Sequence, residues 1–205
     1  MARPALFGVI SSNRILVSRL FAIAFFVLLM LTESSQEGSV VSAYLFLTGL
    51  VLVGVATVGR LWCALYISGY KDAQLVTSGP YSISRNPLYF FSFLGFAGIG
   101  LTTETVTLAV IIVLAFALIY PYVILREEGY LGSKFGDAFA EYRARTPRFF
   151  PELGKLQEPD SYLVNPKLYR RTMANGLWFV WLVGIVELVE ALHEYHVFAP
   201  VIRLP

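Results

Sequence analysis

Two short polar stretches interrupt an otherwise apolar chain: Arg85-Asn86-Pro87-Leu88-Tyr89 and Arg126-Glu127-Glu128. They carry the groups best suited to chemistry. A carboxylate and tyrosine faces accommodate a cation, and a carboxylate beside an amine can take its proton, a task for which Glu128 is the candidate. Adjacent carboxylates repel one another, and at a helix C-terminus they also face the negative end of the dipole. Glu127 and Glu128 therefore fit best if their helix runs on and a cation lies close. The plainer alternative is a solvated charge cluster at a membrane boundary with Arg126 as partner. Further on, Glu141 and Arg145 stand one helical turn apart. Arg126 or Arg145 can orient a carboxylate through paired hydrogen bonds, with Glu141 positioning Arg145, or Glu141 and Arg145 can form an exposed ion pair.

Other candidates are weaker. The single cysteine, Cys63, excludes an internal disulfide and a cysteine-based zinc cluster, and reads as a small apolar residue near a helix end. Glu190, His193 and His196 recur at three-residue spacing but lie at the watery end of an apolar run, so no metal site is expected.

These groups need elements to hold them, and the composition says what kind. The 205 residues have room for one domain, 1–205, yet 57% are hydrophobic and 15% charged, which points to a membrane protein. A net charge of +2 gives no reason to expect nucleic acid. With about 20 apolar residues needed per span, five segments qualify: Ile15 to Leu31, Val40 to Gly59, Asn86 to Thr103, Thr105 to Leu125, and Asn175 to about Leu192. No N-terminal segment looks like a cleaved signal, so the first is expected to be retained. The fold expected is all-α and polytopic, with about five transmembrane helices and a cytosolic amphipathic helix.

Basic residues set the orientation. Arg3, Arg14 and Arg19 precede or begin the first span, Arg60, Lys71 and Arg85 flank the second loop, and nine basic residues lie between Arg126 and Arg171. The turns at Thr32–Ser39 and Thr102–Thr105 have none. The expectation is a multi-pass protein of a bacterial inner membrane, with the N-terminus and the site on the cytosolic side. Because the third and fourth spans are joined by a few residues, they are antiparallel neighbours. Each should be close to 30 Å long, which brings Tyr89 back to Glu127 at one surface.

Past Glu128, the residues Leu131, Phe135, Ala138, Phe139 and Tyr142 form one apolar face of a predicted interfacial helix, ended by Thr146-Pro147. Such a helix can cover a site formed by the two spans. Gly129, Gly132 and Gly136 weaken it by roughly 1 kcal/mol each.

The ordered set Leu75-Val76-Thr77-Ser78-Gly79-Pro80-Tyr81, Arg85-Asn86-Pro87-Leu88-Tyr89, an apolar hairpin, Glu127-Glu128, Phe135-Gly136, and Glu141-Tyr142-Arg143-Ala144-Arg145-Thr146-Pro147-Arg148-Phe149 resembles the isoprenylcysteine carboxyl methyltransferase and phospholipid methyltransferase superfamily. The likeness covers roughly residues 60–151. It implies an integral membrane enzyme that uses S-adenosylmethionine and releases S-adenosylhomocysteine. By position, the cofactor contacts it implies are Gln74, Leu75, Val76, Tyr81, Asn86, Pro87, Leu88, Tyr89 and Glu127. Asn86 stands where the family usually has His, and Phe91 where it often has Gly. An amide donates and accepts hydrogen bonds but cannot become cationic near neutral pH. Val123 occupies the spacing of the substrate-binding arginine of the eukaryotic carboxyl methyltransferases, with Arg126 almost one turn on.

The expected reaction is direct displacement at the sulfonium methyl by a carboxylate on an amphiphilic, lipid-like or lipidated acceptor that enters from the bilayer. Alignment and exclusion of water would supply most of the acceleration. The rivals are methylation of a phospholipid amine, a nicotinamide-dependent membrane reductase, and a non-catalytic membrane scaffold. Gly95-Phe96-Ala97-Gly98-Ile99-Gly100 lies within an apolar span and reads as close helix packing instead of a dinucleotide fingerprint.

Overall fold

The computed structural model describes residues 23–36, 38–70, 73–197 and 200–205, apart from the side chain of Asn175. Arg3, Arg14, Arg19, Lys71 and the start of the first span lie outside the described residues. The described end of that span, 23–31, is helical (α1) and leads into β1 (Thr32–Ser34). The remaining elements are α2 (Val40–Ile67), α3 (Pro80–Ile83), α4 (Pro87–Thr102), α5 (Val106–Phe135), α6 (Asp137–Arg145), a 3-10 turn (Leu153–Lys155), α7 (Pro166–Glu194) and β2 (Ile202–Leu204).

The chain is mostly helical, as its composition predicts, and the described residues contain three helices of membrane-spanning length, which leaves the expected count of five unconfirmed. Helices α2, α5 and α7 are long and apolar enough to cross a membrane, and α4 is a shorter apolar helix. The hairpin is also unequal. Helix α4 has 16 residues, or about 24 Å, whereas α5 has 30, or about 45 Å. Helix α5 does not stop at Leu125 but carries Glu127 and Glu128 on a continuing helix, with Pro121 inside it. Likewise α2 runs past Gly59 to Ile67 and α7 begins at Pro166, well before Asn175.

Local chemistry explains the ends. Ser39 accepts from the Ser42 amide at 3.1 Å to start α2, and Asn165 accepts from the Leu168 amide at 3.2 Å to start α7. Pro87 and Pro166 sit in first turns, where a missing N–H costs nothing.

The predicted interfacial helix is in fact two. Gly136 takes φ 51°, a conformation that favours glycine, and breaks the chain there. Leu131 and Phe135 therefore belong to α5, Ala138 is exposed, and only Phe139 and Tyr142 are buried on α6.

Helices α2 and α4 pack backbone to backbone. A Cβ added at Gly98 would lie 2.7 Å from the Gly49 carbonyl oxygen, and one at Gly95 would meet the Phe179 ring at the same distance. This is the close packing that the glycine-rich run predicts. Val53, Ile99, Phe179, Val183, Val186 and Val189 form the shared core of α2, α4 and α7.

The far end from the candidate site is tied by the C-terminal residues. Strand β2 pairs in parallel with β1, and the Arg203 guanidinium donates to Glu33. The Thr107 amide donates to the Pro205 carbonyl at 3.1 Å, which fastens the start of α5 to the same strand pair.

Candidate active site

Helix α3 and the turn after it are held by the segment that follows α6. The Arg85 amide donates to Pro147 O at 2.8 Å, the Glu152 amide to Ile83 O at 3.0 Å, and the Gly79 amide to Gln157 O at 2.8 Å. The Tyr142 hydroxyl donates to Tyr81 O at 2.6 Å. Burial pushes the Tyr142 phenol above its ordinary range, so it remains a donor. The polar turn and the tail thus form one layer over the end of the α4–α5 hairpin.

Within that layer the two neighbouring glutamates have different surroundings. Glu128 is buried and accepts from Arg85 Nε at 2.9 Å, Asn86 Nδ2 at 3.1 Å and Arg148 Nε at 3.2 Å. Arg85 also donates to Arg143 O at 2.8 Å and Thr146 O at 2.5 Å, and the Asn86 amide group donates to Arg148 O at 3.0 Å. The cations satisfying this carboxylate are therefore Arg85 and Arg148, not Arg126. Arg148 lies 20 residues from Glu128, a separation that leaves no periodic signal in the sequence.

Glu127 is only partly buried and faces Tyr89, whose hydroxyl donates to it at 2.6 Å. Among the described residues Glu127 forms no ion pair. The Tyr89 ring meets Tyr120 edge-on at 5.6 Å, and Tyr120 stacks on Phe116 at 3.8 Å. Phe93 and Phe149 continue this aromatic wall. A carboxylate without a countercharge, set among tyrosine rings, suits a cationic ligand such as a sulfonium.

Of the other expected contacts, Pro87 is buried, while Val76 and Leu88 pack against Cys63, Tyr66, Tyr81 and Phe91. Leu75 is half-buried and Gln74 exposed. Arg126 is exposed and lies over the Tyr122 ring at 5.1 Å. Glu141 and Arg145 form an outward ion pair at 3.7 Å. Arg145 also lines a polar recess of about 280 Å³ with Thr77, Ser82, Thr146, Lys155 and Gln157. A second groove, about 700 Å³, lies between Ser68–Tyr70 and Leu163–Leu168. At the far end, His193 is within 3.1 Å of Met30 O and His196 is exposed. Among the described residues no group of three or more His, Cys, Asp or Glu is placed to hold a metal ion.

Residues 39–138 match the sequence pattern of the phospholipid methyltransferase family. The chain belongs to that family. The family is part of the isoprenylcysteine carboxyl methyltransferase-like superfamily of membrane methyltransferases, so the ordered motifs carried the right resemblance. The matched range holds Tyr81, Asn86, Tyr89, Glu127 and Glu128 but not Glu141, Arg145 or Arg148. The chain is 42% identical to the cobalt-zinc-cadmium resistance protein CzcN of Cupriavidus metallidurans over 200 residues, 98% of this chain and 92% of that one. It is 43% identical to the nickel-cobalt-cadmium resistance protein NccN of Alcaligenes xylosoxydans xylosoxydans over 171 residues, 83% and 80% of the two chains. No solved structure matches it.

Proposed function

We propose that this chain methylates the carboxylate of an amphiphilic, lipid-like or isoprenoid acceptor at the cytosolic face of a bacterial inner membrane, using S-adenosylmethionine. The observation that carries this reading is the Glu127–Tyr89 pair at 2.6 Å, beside a second glutamate already neutralised by two arginines. When bound, S-adenosylmethionine supplies an electrophilic methyl to an acceptor oxygen and leaves as S-adenosylhomocysteine, with the S–C electron pair staying on sulfur and no proton moved. Glu127 and the ring of Tyr89 hold positive charge, and Val76 and Leu88 supply apolar wall. Glu128 is buried and accepts three hydrogen bonds, from Arg85, Asn86 and Arg148. It therefore serves to position the turn before α4, which favours an acceptor that needs no base over an amine. Arg126 and Arg145, exposed at this end, attract the acceptor's carboxylate to the surface.

The names of the two relatives tie those proteins to resistance against cobalt, zinc, cadmium and nickel. A share in such resistance would act here through the methylated membrane component.

The test incubates membranes with deuterated-methyl cofactor and analyses extracts by mass spectrometry. Label should enter a carboxylate ester with the wild-type chain and be lost with Glu127→Ala. Equal label in both would overturn the site, and label in an ammonium headgroup would replace the carboxylate with an amine. Binding of S-adenosylhomocysteine rather than NADPH to the detergent-solubilised chain separates methyl transfer from a reductase or a scaffold.

A further inference from the structure

Helix α2 contains a single charged residue, Arg60, seven positions before its end at Ile67. An ionised group within an apolar helix is costly and ordinarily marks a functional position. Arg60 donates through Nη1 to Ser92 of α4, one turn along from Tyr89, and its guanidinium lies over the Phe179 ring of α7 at 5.4 Å. Cys63, almost one turn beyond Arg60 on α2, packs in one cluster with Tyr81 and with Phe91, the residue before Ser92. On the other flank of α4, Tyr120 meets the Tyr89 ring edge-on at 5.6 Å, and the Tyr89 hydroxyl donates to Glu127. The guanidinium and the Glu127 carboxylate thus both border the tyrosines at the start of α4.

A second observation points to a ligand in that cluster. The Tyr81 hydroxyl is fully buried and has no hydrogen-bond partner. Buried hydroxyls are almost always satisfied. Burial holds this phenol in its neutral form, so it presents a donor. Such a donor suits an acceptor such as a carboxylate oxygen.

Building on the function proposed above, we propose that Arg60 and the Tyr81 hydroxyl together bind the acceptor's carboxylate, at the end of α4 that also carries the Tyr89–Glu127 pair. Opposite charges on the two reactants then meet opposite charges of the protein. A neutral ester product loses its attraction to Arg60, which favours its release.

The test uses the full chain in detergent and measures equilibrium binding of palmitate, methyl palmitate and S-adenosylhomocysteine. Wild type should bind palmitate at least tenfold more tightly than its methyl ester. Arg60→Gln should weaken palmitate at least tenfold while the ester and S-adenosylhomocysteine stay within twofold. Tyr81→Phe keeps the ring and should weaken palmitate about fivefold with the ester unchanged. Equal wild-type affinity for acid and ester would overturn the proposal, as would palmitate binding indifferent to Arg60→Gln or an equal loss of both probes. If Arg60→Gln does not fold, Tyr81→Phe decides, and unchanged palmitate affinity there overturns it. Failure of wild type to bind S-adenosylhomocysteine would remove the methyl-transfer reading, while the palmitate comparison still judges Arg60.

Discussion

Glu127 and Glu128 are adjacent in sequence, yet their replacement should separate stability from binding. Glu128 is 7% exposed and faces Arg85, 8% exposed, at 2.9 Å. Glu128→Ala leaves that guanidinium buried with only carbonyl acceptors, and loss of one member of a buried pair costs about 3–5 kcal/mol. For a chain of this size each kcal/mol shifts the melting temperature by roughly 2–4 °C, so a fall of about 6 °C or more is expected. Arg148 is 52% exposed, so Arg148→Ala should cost no more than about 1 kcal/mol. Glu127→Gln breaks no ion pair and keeps an acceptor for Tyr89, which puts its cost on stability in the same small range.

The assay is thermal unfolding in detergent followed by tryptophan fluorescence, with the affinity for S-adenosylmethionine, which carries the sulfonium charge, measured on each folded variant. Glu128→Ala should melt early, Arg148→Ala should melt near wild type, and Glu127→Gln should melt near wild type but bind the ligand at least tenfold more weakly. A Glu128→Ala protein melting within about 2 °C of wild type would refute the reasoning that Glu128 is structural, since a buried guanidinium cannot lose its countercharge at so small a cost.

Three other substitutions probe separate parts of the fold. Gly98→Ala places a methyl against the Gly49 carbonyl and should destabilise by about 1–3 kcal/mol. Gly54→Ala on the same helix pair meets nothing within 4 Å and should stabilise by about 0.5–1 kcal/mol, both read from melting curves. Tyr89→Phe removes the 2.6 Å hydrogen bond to Glu127, and the worth of such a bond, about 1 kcal/mol, predicts a melting temperature lower by roughly 2–4 °C. The buried Tyr142 phenol is raised above the ordinary value of 10.0, so above pH 10 the unfolded chain loses this proton first. Its contribution to stability is present below that pH and lost as pH rises. Tyr142→Phe should flatten the decline in melting temperature above pH 10.

How much of this was legible depends on the range of the signal. The meeting of Tyr89 with Glu127 followed from a short turn between two apolar helices, a local fact, and the structure places them in contact although the helices differ in length by 14 residues. Arg60 was hidden by the same logic, because a charge after an apolar run reads as a boundary. Only packing against Ser92 and Phe179 shows that the helix continues around it. The break at Gly136 was masked by an apolar periodicity that persists across it, since Phe135 and Phe139 keep helical spacing in two separate helices.

The division of labour between the glutamates was the least legible feature. Consecutive residues on an α-helix point about 100° apart, so Glu128 turns towards the arginines of the covering layer while Glu127 turns towards α4. Sequence shows two equivalent carboxylates, but rotation about the α5 axis gives one a structural partner set and leaves the other its negative charge. That asymmetry requires α5 to remain helical through both residues. A substitution that ended the helix at Leu125 would therefore disturb folding and ligand binding together, without altering either glutamate.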